Sequence, residues 1–66
     1  MQIQLNGEPR DLAPDLTVAQ LVDDLGLTGR RIAVERNEEI VPKSEHGATR
    51  LADGDRIEIV HAIGGG

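Results

Sequence analysis

Only one stretch of this chain repeats its apolar residues at helical spacing. Val18, Leu21, Val22 and Leu25 fall at i, i+3, i+4 and i+7, so a helix there carries a single apolar stripe. One stripe cannot close a core alone, and the remainder of the chain must supply a sheet to cover it. The helix is also punctuated. Thr17 is placed as an N-cap, with Gln20 three residues on to complete a capping box, and Leu16 and Leu21 can staple around it. Gly26 supplies a left-handed stop, after which Leu27 folds back towards Val22. Asp23 and Asp24 near the end of the helix read as a solvated acidic face.

Strand signals lie on both sides of that helix. Met1, Ile3 and Leu5 alternate with Gln2, Gln4 and Asn6, the period of a strand with one buried face. Asn6-Gly7 tolerates the positive φ angles of a tight hairpin turn, and residues Pro9 to Leu12 read as a returning edge strand. Ile32 and Val34 alternate with Ala33 and Glu35, and a polar turn at Asn37 and Glu38 leads to Ile40, Val41 and Pro42, a second hairpin ended by proline. Residues 43 to 50 have no period and read as a loop with room for one helical turn before Leu51 returns to the core. Asp53-Gly54-Asp55 is a tight turn. From Arg56 to Ile63 alternation resumes, with Ile57 and Ile59 on one face and Arg56, Glu58, Val60 and Ala62 on the other. The order is hairpin, helix, hairpin, final strand: one mixed sheet with one covering helix. A chain of 66 residues leaves room for only one domain.

Composition narrows the chemistry. Phe, Trp, Tyr and Cys are all absent, so the core is aliphatic, and there is no disulfide, thiolate nucleophile or thiolate metal site. His46 and His61 lack a short ligand spacing, and no metal site is expected; each reads as solvent-facing. The carboxylates read as lying on surface faces, with no serine or cysteine paired to a histidine base and no glycine-rich phosphate loop. Twelve acidic residues against seven basic ones give a formal charge of −5, which disfavours nucleic acid and anionic lipid as partners. No apolar run approaches the ~20 residues of a membrane span. A cytoplasmic location is expected.

The informative segment is Ile63-Gly64-Gly65-Gly66. Glycine has no Cβ, so such a tail can thread a narrow channel and present its carboxylate without steric shielding. Three consecutive residues without side chains have nothing to bury, and Gly64 to Gly66 are expected to be mobile until bound. On its own a glycine tail also fits a frayed end.

The tail follows Asp53-Gly54-Asp55-Arg56-Ile57-Glu58-Ile59-Val60-His61-Ala62-Ile63, and further upstream stands Arg36-Asn37-Glu38-Glu39-Ile40-Val41-Pro42. Taken together with the length and the terminal diglycine, this pattern resembles the sulfur-carrier proteins of thiamine biosynthesis along essentially the whole chain. The resemblance implies an α+β fold of the ubiquitin-like β-grasp type, in the order β-β-α-β-β-β, with the first and last strands paired in parallel at the sheet centre. It divides the chain into a β-grasp domain, 1–63, and a flexible glycine tail, 64–66. One departure is at His46, about where the family pattern places tryptophan, and it bears on loop packing rather than on the tail.

By that resemblance the chain is a carrier and not itself an enzyme. A ubiquitin-activating-like adenylyltransferase, consuming ATP, adenylates the Gly66 carboxylate, a sulfurtransferase system converts it to a thiocarboxylate, and thiazole synthase accepts the sulfur. No cofactor is bound by the chain itself. The outer face of the last strand turns from charged to apolar as it nears the tail, which marks Val60, Ala62 and Ile63 as a partner-binding surface. Three other readings share parts of this pattern. They are the small, sulfur-carrying subunit of molybdopterin synthase, usually longer and carrying aromatic residues, a ubiquitin-like protein modifier, and a β-grasp interaction domain with an idle tail.

Overall fold

The computed structural model describes residues 1–62. In chain order the elements are β1 (Gln2–Leu5), β2 (Glu8–Asp11), α1 (Val18–Asp24), β3 (Ile32–Arg36), β4 (Glu39–Val41), a short 3-10 turn (Lys43–Glu45) and β5 (Arg56–His61). The strands form one five-stranded mixed sheet in the order β2-β1-β5-β3-β4. The last strand lies at the centre. It runs parallel to β1, with Gln4 opposite Arg56, and antiparallel to β3, with Ile32 opposite His61. This is the β-grasp arrangement expected from the resemblance, and β5 joins two hairpins that are far apart in sequence.

Both hairpin turns use residues in the left-handed region. Asn6 has φ 50° and Gly7 φ 83°, and Asn37 and Glu38 have φ 50° and 72°. Two-residue turns with both central φ positive match the right-handed twist of the flanking strands, and asparagine tolerates that conformation better than most residues. Glu38 has no such tolerance, so the second turn carries some strain. The return strand begins one residue earlier than Pro9 and ends at Asp11, with Pro9 opposite Gln4 on the outermost strand, where a missing N–H does no harm.

The helix is capped as the sequence indicates. The Gln20 amide donates to Thr17 Oγ1 at 3.2 Å, and the Thr17 amide donates to Gln20 Oε1 at 2.8 Å. At the other end Gly26, φ 72°, directs its amide to Asp23 O at 2.9 Å while the Leu27 amide reaches Val22 O at 3.0 Å. This pair of bonds satisfies carbonyls that the helix would otherwise leave free. Ile3, Val18, Leu21, Val22, Val34, Leu51, Ile57 and Ile59 form the buried core between α1 and one face of the sheet. Burying each aliphatic side chain contributes about 1.5–3 kcal/mol. The opposite face of the sheet is left bare. Among the described residues no helix is long and apolar enough to cross a membrane.

Candidate functional site

The element that matters most is β5, because it carries the tail. Its flanks are held unequally. Along the β3 side pairing continues to the end of the strand, and beyond it the Ala62 amide donates to Arg31 O at 2.9 Å. Along the β1 side the register ends at Leu5 opposite Ile57. There the Asn6 side chain takes over: its Oδ1 accepts from the Ile59 amide at 2.9 Å, and its Nδ2 donates to Ile59 O at 3.4 Å. A carboxamide presents one donor and one acceptor, so it stands in for the next residue of the strand. Asn37 acts likewise at the start of β5, where its Oδ1 accepts from the Arg56 amide at 2.9 Å. Ile63, Gly64, Gly65 and Gly66 lie outside the described residues.

Below β5 is a buried carboxylate that the sequence reading placed on the surface. Asp55 is only 6% exposed. Its Oδ2 accepts from the Ala52 amide at 2.8 Å and from Arg36 Nε at 2.8 Å, and its Oδ1 accepts from Asn37 Nδ2 at 3.0 Å. Burial pushes its pKa up, but the Ala52, Asn37 and Arg36 hydrogen bonds and the Arg36 charge outweigh it and hold the carboxyl below the ordinary aspartate value. No catalytic task is apparent in this arrangement. It closes the 53–55 turn onto the second hairpin and so positions the first residue of β5.

The bare face of the sheet holds the expected docking residues. Val60 is 52% exposed, and Ala62 is exposed beside it. Ala33 lies opposite Val60 on β3. A residue not singled out from sequence joins them: Ile40 is 68% exposed and lies opposite Glu35, so it shares this face. Its signal was available, since a two-residue turn at Asn37-Glu38 puts Ile40 out of phase with the half-buried Val41. Glu35 and Glu58 also oppose each other directly here. Like charges in register destabilise a sheet, so a cation from a partner would be favoured between them. Arg56, two residues from Glu58, is engaged with Glu38 at 3.2 Å.

Neither histidine is placed for catalysis. His61 is exposed, as expected, whereas His46 is half-buried, and its Nε2 lies 3.0 Å from Val41 O. A carbonyl only accepts, so Nε2 carries the proton and His46 ties the loop to β4. Its own carbonyl accepts from the Ala19 amide at 2.9 Å. The sequence gives no local sign of this, because both partners are set by the fold. Among the described residues no three of His, Asp and Glu gather as metal ligands. The largest hollow, about 380 Å³, opens between β4 and residues 45–49 and reaches Asn37, at the end of the sheet away from Ala62.

A family model described as the ThiS family matches residues 3–66. The chain belongs to the ThiS family. It is 40% identical over 65 residues to "Sulfur carrier protein ThiS" of Bacillus subtilis, covering 97% of this chain and 98% of that one. It is 48% identical over 66 residues to "Thiazole synthase" of Paramagnetospirillum magneticum, covering all of this chain but 20% of the relative. The chain thus spans about one fifth of that relative's length, and the same share of a second thiazole synthase, from Magnetococcus marinus. Among solved structures, the crystal structure of the thiamine biosynthesis protein ThiS from Geobacter metallireducens superposes with a TM-score of 0.87 at 32% identity, each chain covered in full. The ThiS fold here is therefore the β-grasp sheet with its single helix.

Proposed function

We propose that the chain is a sulfur carrier in the thiazole branch of thiamine biosynthesis, with the Gly66 carboxylate as the group that is loaded. The observation that carries this reading is the end-to-end likeness to a protein named as a ThiS sulfur carrier, with nothing left over in either chain beyond a few residues. In this reading a ubiquitin-activating-like adenylyltransferase brings the Gly66 carboxylate to the α-phosphorus of ATP. A carboxylate oxygen displaces pyrophosphate, giving an acyl adenylate. A carboxylate is a poor electrophile, and AMP is the leaving group that lets a sulfur nucleophile of the sulfurtransferase system attack the acyl carbon. Thiazole synthase then accepts the sulfur from the thiocarboxylate. The chain itself supplies no acid, base or cofactor to these steps. It supplies a narrow glycine tail on a central strand and a surface that partners can hold. The setting is the cytoplasm.

The bare sheet face is the surface assigned to the activating enzyme. An adenylating site must be rich in cations to hold ATP, and Glu35 and Glu58 amid Ile40, Val60, Ala33 and Ala62 offer the opposite charge in an apolar surround.

Incubation with the activating enzyme, ATP and a sulfur donor tests the reading. The chain should gain the mass difference between sulfur and oxygen, localised to Gly66. No gain, or an equal gain in a chain lacking Gly66, would overturn it.

A further inference from the structure

Three of the seven basic side chains are paired with carboxylates: Arg36 with Asp55, Arg50 with Asp15, and Arg56 with Glu38. Among the described residues the other four, Arg10, Arg30, Arg31 and Lys43, make no such pair. Two of them, Arg30 and Lys43, line a single groove of about 240 Å³. This groove lies on the helix side of the molecule, between α1, the loop entering β3, and the 3-10 turn. Val22, Leu27 and Ile32 give it an apolar floor, and the exposed Arg30, Lys43 and Gly47 stand around it. It is also close to the tail, since Arg31, next to Arg30, accepts the Ala62 amide through its carbonyl at 2.9 Å.

An apolar groove with unpaired cations, on a chain of net charge −5, selects an occupant of defined chemistry. It fits an aliphatic or aromatic side chain flanked by carboxylates. We propose that this groove is where thiazole synthase docks, through a segment of that kind. The proposal rests on the sulfur-carrier reading above, and two observations choose the synthase over the activating enzyme. First, an ATP-binding partner presents cations, which suit the Glu35 and Glu58 face and are repelled by Arg30 and Lys43. Second, two thiazole synthase relatives hold a stretch matching this entire chain inside one much longer chain. Tethering of that kind raises the effective concentration to roughly millimolar. A small groove with two charged contacts is then a sufficient dock.

The test titrates the full-length chain against thiazole synthase and, separately, against the activating enzyme. Three forms are compared: the unaltered chain, the double variant Arg30→Glu, Lys43→Glu, and Gly47→Trp. Both charged positions are exposed, and a Cβ at Gly47 meets no atom within 4 Å on an ordinary backbone, so all three forms fold. Synthase affinity should fall by about tenfold or more in both variants and decline with added salt for the unaltered chain, while activating-enzyme affinity stays constant. Synthase binding indifferent to both variants overturns the groove assignment while leaving the carrier reading intact. Equal loss for both partners overturns it too. An unaltered chain that binds neither partner and takes up no sulfur overturns the carrier reading itself.

Discussion

The side-chain amide of Asn6 holds the backbone of Ile59 across 53 residues of sequence, accepting from its N–H at 2.9 Å and donating to its carbonyl at 3.4 Å. Asn6 therefore does two things at once: it turns the first hairpin at φ 50° and completes the β1 flank of the tail-bearing strand. Asn6→Ala should lose both and destabilise the fold by about 1–2 kcal/mol, whereas Asn6→Gly keeps the turn and loses only the amide contacts. Urea unfolding checks this. Equal stability of all three proteins would mean that the contact contributes nothing.

Asp55 makes stability depend on pH in the acid range. Its pKa is lowered in the folded state, so its contribution is complete above the unfolded-state value near 3.8 and is lost as pH falls towards the lower native value. Asp55→Asn puts a donor against donors and should cost about 2 kcal/mol at neutral pH. The variant should also show a shallower loss of stability below pH 3.8 than the unaltered chain, measured by denaturant midpoints across pH.

Val60→Asp probes the bare sheet face. Val60 is 52% exposed, so the substitution leaves the core untouched and should shift stability by no more than about 0.5 kcal/mol. Binding to the activating enzyme should weaken roughly tenfold, through lost apolar contact and added negative charge beside Glu58. Ile40→Asp should act in the same direction. Calorimetric titration reads both, and unchanged affinities would remove this face from the interface.

For the tail, Gly66→Ala should slow adenylation severely, because a methyl group crowds the approach of the carboxylate to the α-phosphorus. Deleting Gly66 should be worse, leaving the new carboxylate ~3.5 Å short, the reach of one extended residue. Thermal unfolding should be unaltered in both, which separates a reactive terminus from a structural one. Pyrophosphate release gives the rate.

What the sequence alone determined is local. The helix from Thr17 to Gly26 and the turns at Asn6-Gly7 and Asn37-Glu38 each follow from neighbours a few residues apart, through apolar period, capping and tolerance of positive φ. The alternation of Ile57 and Ile59 with Glu58 and Val60 likewise told which face of the last strand is buried. The parallel pairing of first and last strands entered only through family resemblance, since strand pairing over some fifty residues leaves no mark in a local pattern. Tertiary structure alone decided the burial of Asp55, whose donors Arg36 and Asn37 come from another hairpin. It also set Ile40 near Val60 and tied His46 to β4. The meeting of Arg30 and Lys43 around one groove is of the same kind, because a groove exists only once α1, the loop before β3 and the 3-10 turn have packed together. Short-range preferences select the elements; which side chains then share a surface depends on packing and register between segments remote in sequence.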